Sequence, residues 1–114
     1  MIEAEFRRHP RLVIALTRLT RRLDGAFEQI KADVHLADGS RLHINQVYVR
    51  GELRKYAYYR LSPTGEVIQG WDNAPHHPEI ASYPHHLHQE NAVLPSQVRS
   101  LADVLALLEA ELQV

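Results

Sequence analysis

The chain has 114 residues, of which 45% are apolar and 24% charged, with no cysteine and a formal net charge of −1. This length and apolar content predict a single folded domain over residues 1–114 and exclude a disordered chain. Without cysteine there is no disulfide and no thiolate zinc site, and neither a membrane span nor a secretory signal is visible, so we expect a cytoplasmic protein.

Charge is distributed unevenly along the chain. Residues 1–60 carry twelve Lys or Arg against seven acids, a net +5, and residues 61–114 carry one against seven, a net −6. Six of the basic residues fall in one N-terminal segment: Arg7, Arg8, Arg11, Arg18, Arg21 and Arg22. They indicate either a solvated polar face or a surface that binds phosphates or an acidic partner.

The first predicted element is an N-terminal helix over residues 9–23. Leucines recur there at spacings of four, three and four, which is typical of one helical face: Leu12, Leu16, Leu19 and Leu23. Pro10 suits the first turn, and Asp24 with Gly25 supplies an end. This helix would bury its leucines and expose a stripe of arginines.

An antiparallel meander of about four strands is predicted next. In the first strand, one face is apolar: Ile30, Ala32, Val34 and Leu36. A turn at residues 38–40 leads to a second strand, where Val47 and Val49 are out of phase with Leu42 and Ile44, which indicates a bulge or burial on both faces. Residues 55–61 and 66–71 form the third and fourth strands.

A C-terminal helix is predicted from about Ser100, which is a candidate N-cap with Asp103 three residues later. Its apolar face consists of Leu101, Val104, Leu105, Leu108 and Leu112. The complete pattern predicts an α+β fold, in which the N-terminal and C-terminal helices flank an antiparallel meander of about four strands.

Residues 72–90, DNAPHHPEIASYPHHLHQE, are the candidate functional segment. They hold five of the eight histidines: His76, His77, His85, His86 and His88. Imidazole changes charge near neutral pH and also ligates metals. If His86 and His88 lie on a strand they share one face, whereas the adjacent His76 and His77 point apart, so at most one of that pair would converge with them.

The motifs from the first turn onward resemble the TumE-type toxins of prokaryotic toxin-antitoxin systems. The matching parts are Asp38 to Ser40, Tyr56 to Tyr58, Trp71 to Ile80, Tyr83 to His88 and Leu94 to Ser96. The resemblance covers roughly residues 36 to 112. It implies a growth-inhibiting toxin that is neutralised by a separately encoded antitoxin protein, which we expect to bind DNA.

The sequence also departs from that family pattern. Asn45 and Gln46 stand where many relatives have Glu, Gly70 stands where they have Arg, and Leu87 stands where they have Lys. If the missing Glu or the missing Arg serves the chemistry, this copy of the toxin is weak or inactive.

The residue types support metal-independent RNA cleavage without a cofactor. That reaction needs a base, an acid and cationic groups for the phosphate. The predicted catalytic residues are His77, His86 and His88, followed by Asp72, His76 and His85. The predicted substrate contacts are Tyr56, Tyr58 and Trp71, which would stack on bases, and Arg54 or Arg60 on the RNA backbone.

Other interpretations remain open from the sequence. His86 and His88, joined by His77 or Asp72, would give three ligands of a catalytic zinc site. The histidines could instead satisfy backbone groups in an irregular segment, and the tyrosines could serve sheet packing. The domain could also be a non-catalytic module held by its antitoxin, and a homodimer is a further alternative.

Overall fold

The computed structural model describes residues 2–97 and 100–114. Within those ranges the elements are α1 (Ile2–Arg7), β1 (Val13–Asp24), β2 (Phe27–Leu36), β3 (Arg41–Val49), β4 (Glu52–Leu61), β5 (Val67–Asp72), β6 (His86–Gln89), β7 (Ala92–Pro95) and α2 (Leu101–Leu112). The described strands form one antiparallel sheet in which each strand pairs with the next along the chain. In these ranges no helix is long and apolar enough to cross a membrane.

The fold is mostly β, so the predicted α+β fold with about four strands is wrong. Two regions account for the difference. The region predicted as the first helix forms β1, and the histidine segment together with the residues after it contributes β6 and β7. The described sheet therefore has seven strands, and the N-terminal helix is the short α1, which ends before the leucine-rich stretch begins.

A β-bulge explains why β1 has a helix-like leucine pattern. Leu16 pairs with Val34 and Leu19 with Ala32, and the register shifts between Leu16 and Arg18. Leu16 and Leu19 are three residues apart, but their partners in β2 are only two apart, because β1 has one extra residue at the bulge. Both leucines therefore point to the same face of the sheet, as they would on a helix.

Several local predictions are confirmed. β2 buries Ile30, Ala32, Val34 and Leu36, and the turn at residues 38–40 joins it to β3. β3 pairs with β2 without a register shift, so its change of parity reflects side chains on both faces. Ser100 caps α2, and the reciprocal hydrogen bonds with Asp103 form a capping box.

The two faces of the sheet have different surroundings. One face packs against α1 and α2 in a single core: Ile2, Phe6, Leu12, Ile30, Ala32, Val34, Leu36, Leu42, Ile44, Tyr56, Tyr58, Trp71, Leu101, Val104, Leu105 and Leu108. We call this the helix face. Side chains alternate along a strand, so the residues between these core positions project from the opposite side, which we call the open face.

Candidate active site

Strand pairing brings two of the predicted histidines beside an aspartate. In the β5–β6 pair, His86 lies opposite Asp72 and His88 lies opposite Gly70. Trp71 and Leu87, which fall between them, point to the helix face and contact the core. Asp72, His86 and His88 therefore project together from the open face.

Asp72 is the centre of the hydrogen-bonded group. His86 Nε2 lies 2.7 Å from its Oδ1, and His88 Nε2 lies 2.9 Å from its Oδ2. The Ala74 N–H also donates to Oδ1 at 3.0 Å, and the Tyr59 hydroxyl donates to Oδ2. Asp72 is 5% exposed. A buried carboxylate with donors on both oxygens is held in one orientation.

His86 is held at both ring nitrogens. Nε2 faces the Asp72 carboxylate, and Nδ1 lies 2.9 Å from the carbonyl oxygen of Pro84. Both partners are hydrogen-bond acceptors, so the ring donates to both only when each nitrogen carries a proton. Its side chain is 3% exposed, and the Asp72 carboxylate is its ion-pair partner in that state.

His77 and His88 are each fixed at one nitrogen. His88 uses Nε2 for Asp72, and His77 uses Nδ1 for Glu79 at 3.2 Å. A hydrogen bond from its own backbone N–H and the contact with His77 lower the pKa of Glu79. His88 Nδ1 and His77 Nε2 have no hydrogen-bond partner among the residues that the structure describes.

The three imidazoles form one cluster. The ring centres of His86 and His88 are 4.7 Å apart, those of His77 and His86 are 5.1 Å apart, and those of His77 and His88 are 6.2 Å apart. His77 is thus the member of the adjacent pair that converges with the strand histidines, while His76 lies exposed at the rim of the cleft. The role of the cluster in catalysis stays a prediction.

Tyr59 is a site residue that sequence reasoning missed. It lies on the open face of β4, opposite Gly70, and its ring covers that glycine. Burial and the bond to Asp72 raise the pKa of its hydroxyl, so it remains a donor at neutral pH. The sequence did contain one indication of its position. Adjacent residues of a strand face opposite sides of the sheet, so Tyr59 must lie on the side opposite to Tyr58.

Other predicted site residues lie away from the cluster. Tyr58, Tyr56 and Trp71 are between 0% and 4% exposed in the core, so their rings are not available to stack on a base. His85 also lies on the helix side, where Nδ1 is 3.0 Å from the Tyr56 hydroxyl. Burial and the charge on His86 lower the pKa of His85.

The two predicted arginines differ in their surroundings. Arg60 is largely buried, and it binds Asp38 at 2.6 Å, Ser40 at 3.2 Å and Gln69 at 3.1 Å, so it supports the β2–β3 turn. Arg54 is exposed at the cleft and pairs with Glu52 at 3.1 Å. Of the two, only Arg54 could reach a bound ligand.

Gln46, Asn45 and Gly70, which the sequence singled out, have separate roles. Gln46 lies on the helix face, where Nε2 donates to the Tyr58 hydroxyl at 3.0 Å. Asn45 faces the cleft. A Cβ at Gly70 would lie 2.2 Å from Cδ1 of Tyr59, so glycine at this position is what lets Tyr59 reach Asp72.

The histidine cluster opens into a large cleft on the open face. Its volume is about 1300 Å³. Its floor comes from β2, β3 and β4, and residues 73–77, Tyr83 and Pro84 of the segment between β5 and β6 form one wall. It is larger than most small-molecule pockets, and its combination of apolar and polar lining is typical of ligand sites.

The same groups could hold a metal ion. Asp72, His86 and His88 offer one ligand atom each within 4.8 Å of one another. Two imidazoles and a carboxylate suit catalytic zinc. Both histidine Nε2 atoms would have to lose their protons and leave their hydrogen bonds with Asp72 to bind it.

The chain was compared with protein families, curated proteins and solved structures. A family model described as Toxin TumE matches residues 3–113, nearly the whole chain. No curated protein and no solved structure matches.

Proposed function

The chain belongs to the TumE toxin family, and on that premise we propose that it is a histidine-based ribonuclease that cleaves cellular RNA without a metal. As a family member it is the toxin of a toxin-antitoxin system. The observation that carries the proposal is the pair His77 and His88. Each is oriented by a carboxylate and keeps one ring nitrogen for a substrate, and their ring centres are 6.2 Å apart.

The pair suits attack by a ribose 2′-hydroxyl on the adjacent phosphorus. We assign His88 as the base, because Asp72 would stabilise the imidazolium that forms when Nδ1 takes the 2′-hydroxyl proton. We assign His77 as the acid, whose Nε2 donates a proton to the leaving 5′-oxygen. The O2′–P bond forms as the P–O5′ bond breaks, which gives a 2′,3′-cyclic phosphate and a 5′-hydroxyl end.

The remaining groups position this pair. His86 and Tyr59 hold the Asp72 carboxylate in place, and His86 in its protonated form would favour the phosphate near the two accessible rings. Because both nitrogens of His86 are already bonded, it acts through Asp72 and through charge, and it is a positioning residue.

Expression in bacteria from a tightly controlled promoter tests the proposal. The wild-type chain should arrest growth and fragment RNA, whereas His77→Ala and His88→Ala should do neither while they stay folded by circular dichroism. His35→Ala is the control, since His35 is exposed on β2 outside the cleft. Folded histidine variants that still arrest growth would favour the non-catalytic binding module.

A metal-dependent hydrolase is the second candidate, and the convergence of Asp72, His86 and His88 favours it. Bound zinc would supply an activated water. Such an enzyme would lose activity with a chelator and regain it with Zn²⁺, whereas the metal-free reaction would not respond.

The partner and location of the toxin are proposed on the same premise. Family membership implies an antitoxin, and we propose that it is a DNA-binding protein encoded beside the toxin and that both act in the cytoplasm. Co-expression of the neighbouring gene should restore growth and yield a complex on gel filtration. Gel filtration of the toxin alone tests whether it forms a homodimer.

A further inference from the structure

The cleft extends beyond the histidines, over residues that the proposed chemistry does not use. The apolar part of its floor consists of Phe27, Val47, Val49 and Ala57. These side chains lie on the open face, and each is only partly buried. Partly exposed apolar groups at the bottom of a cleft favour a flat apolar ligand, because covering them removes them from water.

Two amides lie in the same floor. Gln29 on β2 donates from Nε2 to Oδ1 of Asn45 on β3 at 3.1 Å. That bond leaves the Asn45 amide NH₂ and the Gln29 carbonyl oxygen without a hydrogen-bond partner among the described residues. A neighbouring donor and acceptor of this kind match the edge of a nucleobase, which Asn and Gln side chains commonly read.

A cation lies at the edge of this floor. Lys55 on β4 lines the cleft, is exposed, and forms no ion pair with the residues that the structure describes. It projects from the open face opposite Val47. A lysine in this position can contact an RNA phosphate while the base lies on the apolar floor.

We propose that this part of the cleft is a nucleobase-binding subsite, in which Gln29 and Asn45 read the edge of one base of a single-stranded RNA. The inference rests on the proposed ribonuclease activity and adds base selectivity to it.

Strand register supports the distance that this requires. Asn45, Ala57 and Asp72 lie in one row across β3, β4 and β5. Adjacent strands are about 4.8 Å apart, so the amide lies about 10 Å from Asp72 along the sheet. One nucleotide can bridge that separation. Ala57 lies between Asn45 and Asp72 in this row, and its small side chain leaves the cleft open between them.

Cleavage of short oligonucleotides tests the subsite. Each DNA oligonucleotide contains a single ribonucleotide, because only its 2′-hydroxyl can attack, and the bases on either side of the scissile phosphate are varied. The wild type should prefer one base at one of these positions. Asn45→Ala should reduce that preference about tenfold by slowing cleavage of the preferred oligonucleotide. Gln97→Ala is the control, since Gln97 is exposed and does not line the cleft.

Binding of the all-DNA version of each oligonucleotide, measured by fluorescence anisotropy, separates the subsite from the cleavage reaction. Wild-type protein should bind with the same base preference, Asn45→Ala should lose it, and Ala57→Leu should weaken all binding by filling the cleft between Asn45 and Asp72. Base-selective binding without cleavage of any RNA would overturn the ribonuclease and keep the subsite. Binding without base preference, or with a preference unchanged in Asn45→Ala, would overturn the subsite. The subsite would also be overturned if Asn45→Ala and Ala57→Leu weakened only the binding of the antitoxin.

Discussion

At the scale of single residues, Asp72 organises the site. Its buried carboxylate binds His86 and His88 on β6 and Tyr59 on β4. The sequence indicated that Asp72 and the histidines belonged together, because they share one short segment. Strand parity placed Tyr59 on the face opposite Tyr58, but its contact with Asp72, 13 residues away, depends on the β4–β5 register, which the sequence does not specify.

Asp72→Asn should reduce both stability and activity. The change removes the carboxylate that pairs with the buried ring of His86, and loss of one partner of a buried pair costs about 3 kcal/mol of unfolding free energy. Urea denaturation measures this. The matched control is Asp33→Asn, which removes the partner of His43 at a partly exposed position and should cost less than about 1 kcal/mol. Equal losses in the two variants would contradict the central role of Asp72.

His85 should make the fold sensitive to acid. Its pKa is lowered from the usual 6.5 by burial and by the charge of His86, so the folded chain binds fewer protons than the unfolded chain. The stabilisation is therefore complete above pH 6.5 and is lost as pH falls through the lowered folded-state pKa.

The measurement compares the free energy of unfolding of wild type and His85→Asn between about pH 7.5 and pH 5.5. Asn keeps an acceptor near the position of Nδ1 but does not titrate. The wild type should lose more stability than the variant over this range. Parallel curves would show that His85 contributes nothing to the pH dependence.

At the scale of elements, the sequence predicted strands well where polar and apolar residues alternate, as in β2. It failed at β1, because the bulge between Leu16 and Arg18 reproduces the leucine spacing of a helix. It also missed β6 and β7, which are four residues each, too short to show a period. Strand alternation did predict that His86 and His88 share a face and that at most one of His76 and His77 meets them, but it could not select His77, which lies in the irregular segment between β5 and β6.

The β4–β5 pair depends on a glycine, which gives a prediction for these two strands. In Gly70→Ala the new Cβ would overlap the ring of Tyr59, displace it and break its bond with Asp72. We expect the unfolding free energy to fall by about 1 to 3 kcal/mol, together with a loss of RNA cleavage.

A double-mutant cycle with Tyr59→Ala isolates this contact. If the cost of Gly70→Ala arises from the Tyr59 ring, it should largely disappear once that ring is removed. A Gly70→Ala cost that is the same in both backgrounds would mean that the strain lies elsewhere in the strands.

At the scale of the whole molecule, the order of the sheet collects basic residues on one part of it. The strands follow the order of the sequence, so β1 to β4 carry most of the Lys and Arg of residues 1–60: Arg18, Arg21, Arg22, Lys31, Arg41, Arg54, Lys55 and Arg60. The histidine cluster lies on β5, β6 and the segment between them, beside these strands. This arrangement favours RNA that approaches across β1 to β4.

The electrostatic arrangement predicts that RNA binding depends on salt. Arg18 and Arg22 alternate onto the open face of β1 and form no ion pair within the described part of the chain. Replacing both by Gln should weaken binding of single-stranded RNA and flatten the slope of log Kd against log salt concentration by about one unit or more. Fluorescence anisotropy at several salt concentrations measures the slope. An unchanged slope would mean that the RNA does not contact Arg18 and Arg22 on β1.

The ends of the RNA products show whether His77 and His88 cleave RNA by acid-base catalysis. Purified wild-type protein is incubated with RNA in EDTA, beside folded His77→Ala and His88→Ala. We expect cleavage by the wild type alone, with 2′,3′-cyclic phosphate and 5′-hydroxyl ends. Cleavage that requires added metal and leaves other ends, or no cleavage by wild type under any condition, would contradict this mechanism.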